Sequence, residues 1–187
     1  MDKLVIDIET SNTFADVGGH RNVADLSVSL VGIYSYSNDK FHAFYEHNLA
    51  DAAPLLQSCG LLIGFAINRF DVPVLNKHYP FNLFSLQRLD LLDEIELSSG
   101  RRISLNILAK ANLGVEKTHH SLEAIDLYRD GKFDELRDYC LTDVKITRDL
   151  YELAKKQGYL IVPDKFSNEP QKIELSWEEQ AFPATLF

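Results

Sequence analysis

The sequence is short of cysteine, short of positive charge and free of long hydrophobic runs, and each shortage removes a class of protein. Cys59 and Cys140 are its only cysteines among 187 residues, both in apolar surroundings. Two thiols make no disulfide framework, so both are expected buried and reduced. No stretch approaches the ~20 apolar residues of a membrane span, and no membrane is expected as a partner. Met1 leads directly into the charged, strand-like MDKLVIDIET, which reads as neither a signal nor a transit peptide. A cytoplasmic location is the expectation. No internal repeat or low-complexity segment stands out.

Lysine and arginine number 19 against 28 acidic residues, a net charge of −9. That balance lacks the basic footprint of a polynucleotide-coating protein and ranks an acidic enzyme above a binding module. One kind of nucleic-acid protein escapes this exclusion: a site that gathers carboxylates for divalent cations, where bound metal inverts the local charge. Its affinity for polynucleotides would be modest and salt-sensitive. With 45% hydrophobic residues, the chain fits one compact α/β domain.

Periodicity and turn residues place the elements. Residues 3–9, 26–37 and 40–45 read as three leading strands, the last two joined by a turn at Ser37-Asn38-Asp39. A short helix is predicted over 49–58, and GLLIGF at 60–65 reads as a strand buried on both faces. Helices follow at 71–78, with Pro73 near its start, and at 91–97, after a strand-like piece at 87–91. Ser104 should cap a helix reaching Asn112, a short helix covers 121–128, and Asp134 should cap the longest, 134–156. The domain is expected to span 1–162. Residues 163–187 read as a more polar extension, packed on that domain, with one strand at 172–177. The order implies an α/β fold, a mixed sheet flanked by helices.

Four acids stand out. Alternation in LVIDIE sends Leu4, Ile6 and Ile8 to one face of the first strand and Val5, Asp7 and Glu9 to the other. Two carboxylates therefore project side by side, although a solvated strand face would look the same. Asp71 follows the buried run, where a strand ends and a helix begins. It could simply cap that helix, yet the ends of strands are where α/β sites form. Asp143 is the most informative. On the long helix Leu136, Cys140, Val144, Leu150, Tyr151 and Ala154 make one apolar arc, and Asp143 falls near its middle, where no lysine or arginine lies. A carboxylate facing a core costs several kcal/mol unless paired or metal-bound, and metal is the better explanation. Tyr139 lies one turn earlier and can reach the same place; an ordinary core tyrosine is the alternative.

These residues resemble the motifs of the DEDD 3′-5′ exonucleases, a ribonuclease-H-like superfamily that includes polymerase proofreading domains and RNase D. The first motif appears as Asp7-Ile8-Glu9-Thr10, the second as Asn68-Arg69-Phe70-Asp71 and the third as Tyr139-Cys140-Leu141-Thr142-Asp143. GFAINRFDVPVL is especially similar to the second motif of family B proofreading domains, but Ala66 stands where an Asn is usual. A sister branch carries His five residues before the last Asp; Asp138 occupies that position, which places the resemblance in the tyrosine branch. The intervening segment 104–140 also resembles stand-alone prokaryotic ribonuclease-H-like nucleases. The chain has no room for a polymerase, so the resemblance implies a free nuclease or one subunit of an assembly, with a replication or repair protein as the partner class.

What the resemblance implies is a two-metal 3′-5′ exonuclease acting on the single-stranded 3′ end of DNA or RNA and releasing 5′-mononucleotides. Two divalent ions about 3.5–4 Å apart activate a water and stabilise the leaving alkoxide. Asp7 would bridge them, Glu9 and Asp143 would complete the water-activating one, and Asp71 would support the second through water. Oxygen ligands suit Mg²⁺ or Mn²⁺. Tyr139 would orient the water. Thr10, Ser11 and Asn68 are candidates to hold substrate, and Phe70 or Phe14 to stack on a base. Asp90 reads as a helix cap, and His119, His120, Arg101 and Arg102 as solvent-facing. The competing functions are a ribonuclease-H-like endonuclease or resolvase, and a catalytically silent nucleic-acid or protein interaction domain.

Overall fold

The structure, a computed structural model, describes residues 1–115, 123–163 and 170–175. Its centre is β1 (Asp2–Thr10), which pairs antiparallel with β2 (Val28–Ser35) on one side and parallel with β4 (Cys59–Gly64) on the other. Antiparallel β3 (Lys40–Tyr45) and parallel β5 (Arg88–Asp90) close the edges, giving the order β3-β2-β1-β4-β5. The expected mixed sheet, three antiparallel leading strands plus parallel ones, is the observed fold.

The pleat sorts side chains as the pattern of the first strand requires. Leu4, Ile6 and Ile8 join a core on one face with Ile33, Leu62, Val74 and Leu75. Val5 joins the core of the other face with Ile63, Leu108, Val144 and Leu150. The first face is covered by α1 (Ala53–Gln57) and α2 (Asp71–Leu75). Covering the second are α3 (Leu91–Ser99), α4 (Leu105–Leu113) and the 25-residue α6 (Phe133–Gln157), with α5 (Glu123–Arg129) beside α6. Helices on both faces hide the parallel strands, as such strands need.

Four local expectations change. The helix foreseen over 49–58 is a 3₁₀ segment, Glu46–Ala52, followed by the short α1, with Pro54 near the break. Asp134 does not cap α6: Lys132 holds that position without a side-chain cap, and Asp134 pairs with Arg137 at 2.8 Å instead. A further strand, β6 (Tyr159–Val162), pairs antiparallel with β7 (Gln171–Glu174) in a separate two-stranded sheet. Four residues are too few for period-2 alternation to announce β6. β7 overlaps the strand expected over 172–177 but starts one residue earlier, and 176 and 177 lie outside the described residues. Arg101 does not face solvent either; its guanidinium donates to the Pro163 carbonyl, while Arg102 sits 3.5 Å from Glu96. His119 and His120 lie outside the described residues. Among the described residues no helix is long and apolar enough to cross a membrane.

Candidate active site

β1 delivers Asp7 and Glu9 to the face that carries α6, because two residues advance a strand by one full pleat. Glu9 is buried and Asp7 partly so. Opposite Asp7 in β2 stands Gly32, and there α6 comes down onto the sheet. A Cβ at Gly32 would lie 2.8 Å from Cys140 Sγ and 3.0 Å from Val144 Cγ2. The missing side chain therefore sets how near Tyr139 and Asp143 approach the first-strand acids. Both are buried, Asp143 with 6% of its surface exposed, as expected for a residue inside the apolar arc.

The fourth acid arrives by a tight path. At the end of β4, a Cβ on Gly64 would overlap Ile67 at 2.1 Å, so the chain doubles back only because that residue is glycine. Ala66 takes a left-handed conformation with φ 67°, an unfavourable one for any residue with a Cβ. Asp90 holds this turn: its Oδ1 accepts the Ala66 N–H at 2.8 Å and its Oδ2 the Asn68 N–H at 2.9 Å. The same carboxylate caps α3 through the Leu92 N–H at 3.0 Å. The cap foreseen for Asp90 is thus also the clamp of the neighbouring loop, possible because Gly64 and Asp90 face each other in the β4–β5 pairing. Asp71 opens α2 directly after that loop.

Asp7, Glu9, Asp71 and Asp143 line a single open cavity of about 410 Å³, with Tyr139 on its wall. Phe14 and Phe70 form an aromatic side of it, their ring centroids 5.9 Å apart and edge to face. Phe70 also packs on the core. Thr10 lines the cavity while its hydroxyl donates to the Asn12 carbonyl at 3.0 Å. Ser11 is not on the wall and its hydroxyl faces the Ser27 carbonyl at 3.4 Å. Asn68 is also off the wall: its amide donates to Asp93 at 2.8 Å and accepts from Arg88 at 2.7 Å. Asn12 and Ile125, unremarked in the sequence, do line it. Their signal lay only in tertiary placement, since an Asn after a strand and an Ile on a short helix are ordinary.

The cavity gathers negative charge in partly and fully buried positions. Burial pushes Asp71 up to about 8, with the Asp90 charge adding to it, and its Oδ1 is a buried oxygen with no hydrogen-bond donor among the described residues. Such an atom is costly unless a ligand meets it. Cys140 Sγ sits 3.6 Å from Asp7 Oδ2, and together with Glu9 the three groups offer donor atoms within 4.8 Å of one another. Burial first, then the carboxylates of Asp7, Glu9 and Asp143, hold the Cys140 thiol well above its usual range. Its S–H points at the Asp7 carboxylate.

A family model of the ribonuclease H superfamily matches residues 4–155. The chain belongs to the ribonuclease H superfamily. Its four acids lie on one strand and two helices inside that span. Among solved structures, the family B DNA polymerase from the hyperthermophilic archaeon Pyrobaculum calidifontis is similar with a TM-score of 0.63 and 17% identity, over 83% of this chain and 24% of that one. The zinc-bound ExoI–ssDNA complex of E. coli is similar with a TM-score of 0.57 and 16% identity, over 83% of this chain and 41% of that one. The chain therefore spans well under two thirds of either protein, and at these identities the likeness is one of fold. Comparison with curated protein sequences gives no match.

Proposed function

We propose that this ribonuclease H superfamily chain is a metal-dependent 3′-5′ exonuclease of the tyrosine branch of the DEDD group, hydrolysing the terminal phosphodiester of single-stranded DNA or RNA. The observation that carries the reading is the convergence of Asp7, Glu9, Asp71 and Asp143, with Tyr139, on one open cavity. A silent interaction domain has no use for four carboxylates gathered at such a desolvation cost.

Asp7, Glu9 and Asp143 would hold divalent cations at the sheet end of the cavity, and Asp71 would add the oxygen that its surroundings leave unbonded. Bound there, Mg²⁺ or Mn²⁺ supplies Lewis acidity toward a water and the scissile phosphate. The protein's own contribution is placement. Tyr139 orients the attacking water by a hydrogen bond through its phenol. Phe14 and Phe70 receive the terminal base by stacking, and the loop clamped by Asp90 keeps Phe70 and Asp71 in register with β1. Asn68 serves that loop rather than the substrate, through Arg88 and Asp93.

The test is a product analysis. Protein freed of metal and then given Mg²⁺ or Mn²⁺ should release nucleoside 5′-monophosphates from a panel of single- and double-stranded DNA and RNA. Internal fragments without mononucleotides would point to an endonuclease, and an untouched panel would return the chain to the silent-domain reading.

A further inference from the structure

A second cavity, of about 510 Å³, opens at the same end of the sheet. β1 ends there at Thr10, antiparallel β2 begins there at Val28, and β3 ends there at Tyr45, opposite Leu30. The cavity is lined by Ser29, Tyr45, Glu46, His47, Tyr128 and Phe133. Two strand spacings, about 10 Å, separate β3 from β1. Helix α5 spans the gap: Ile125 lies on the wall of the acidic cavity, and Tyr128, one turn later, on the wall of this one.

Three observations say what it takes. The rings form a box: His47 stacks on Tyr45 at 6°, and Phe133 meets Tyr45 and Tyr128 edge-on at 83° and 72°. Phe133 keeps 47% of its surface exposed although it is among the largest apolar side chains, so the box is open on one side. Ser29 is the extra residue of β2 where the pairing with β1 slips between Glu9 and Thr10; it is fully buried and its hydroxyl has no hydrogen-bond partner among the described residues. A hydroxyl in that state calls for a ligand with a donor or acceptor of its own. Glu46, whose carboxylate accepts from Tyr128 at 2.5 Å, supplies an acceptor at the rim, and among the described residues no lysine or arginine lines the cavity. A flat ring with polar edges fits this wall; a phosphate does not.

We infer that the cavity is a nucleobase subsite, holding an unstacked base of the same strand whose 3′ end enters the acidic cavity, one or two nucleotides upstream. The inference rests on the exonuclease reading for the identity of the strand. Aromatic faces stack on any base, while Ser29 and Glu46 read its edge. The subsite would make the chain favour unpaired 3′ ends, because a paired base cannot turn into it.

The experiment measures binding of a 5′-fluorescent single-stranded oligonucleotide in Mg²⁺ by anisotropy, in an Asp7→Asn background so that the strand survives. An abasic site is moved stepwise inward from the 3′ end. One position near that end should weaken binding roughly 5- to 100-fold. Adding Phe133→Ala should weaken binding of the intact strand by a similar factor and erase the sensitivity to that position. Ser29→Ala should weaken it as well, without lowering the melting temperature, since it removes a buried hydroxyl that has no partner among the described residues. Full affinity in the Phe133→Ala protein, an unchanged abasic penalty, or no binding at all would overturn the subsite. A protein that binds in this pattern but whose wild type cuts nothing would refute the exonuclease and keep the base pocket; cutting with no pocket dependence would do the reverse.

Discussion

Gly32 and Cys140 face each other across the sheet–helix interface so closely that a Cβ on the glycine would lie 2.8 Å from the Cys140 sulfur. Asp7 is the residue paired with Gly32, and Cys140 lies between Tyr139 and Asp143. One missing methyl group thus sets the separation of the acids. Gly32→Ala should push α6 outward, lowering stability by about 1–3 kcal/mol. Activity should fall further than stability accounts for, since a displacement near 1 Å can cost roughly 10²-fold. Thermal melts with turnover measured well below the melting temperature check this; a variant as active as wild type would show that the spacing does not matter.

Asp71 makes the metal-free fold sensitive to pH. The unfolded chain loses this proton near its ordinary value of 3.8, whereas burial keeps it on the folded chain up to about 8. The folded state therefore holds its proton where the unfolded state does not. The associated stability is fully present below about pH 4 and is lost as pH rises to about 8, on the order of a few kcal/mol. Asp71→Asn, which cannot ionise, should flatten that decline and raise the melting temperature at pH 8 while removing activity. Divalent cation should narrow the difference, because it favours the carboxylate. Melting temperatures of wild type and Asp71→Asn, both chelated, are compared across this pH range, and equal slopes would contradict the assignment.

Ala66 is held left-handed with φ 67°. Ala66→Gly should raise the denaturant midpoint, corresponding to an unfolding free energy higher by up to about 1 kcal/mol, because the Cβ clash disappears. Ala66→Asn should be tolerated, since a short polar side chain accepts that conformation. A lowered midpoint for both would mean that the turn rearranges.

Tyr139→Phe keeps the ring that packs among Leu30, Leu136 and Cys140 and removes only the phenol oxygen. The expected result is unaltered oligonucleotide binding and turnover slower by roughly 10²-fold. A matching loss of binding would assign the tyrosine to substrate contact instead of water placement.

Much of the architecture was legible because it follows from local period. Alternation in LVIDIE put Leu4, Ile6 and Ile8 on one core face and Asp7 and Glu9 with Val5 on the other. The helical arc around Asp143 likewise announced a buried carboxylate. What stayed hidden depends on partners far along the chain. Nothing near Asp90 reveals that it clamps Ala66 and Asn68, which takes the parallel pairing of β4 with β5. Asn68 looked like a substrate contact because its neighbours are motif residues, while Arg88 and Asp93 claim its side chain. Ser29 stands out only through its buried hydroxyl, which has no partner among the described residues.

Central to the proposed chemistry is that the four acids act together at one strand end. A time course with a 5′-labelled single-stranded oligonucleotide and Mg²⁺ or Mn²⁺ tests it most directly. Wild type should shorten the label-bearing strand one nucleotide at a time from its 3′ end, chelator should stop the ladder, and Asp7→Ala or Asp143→Ala should leave the strand whole. A ladder that persists in Asp143→Ala, or a labelled strand cut internally, would contradict it.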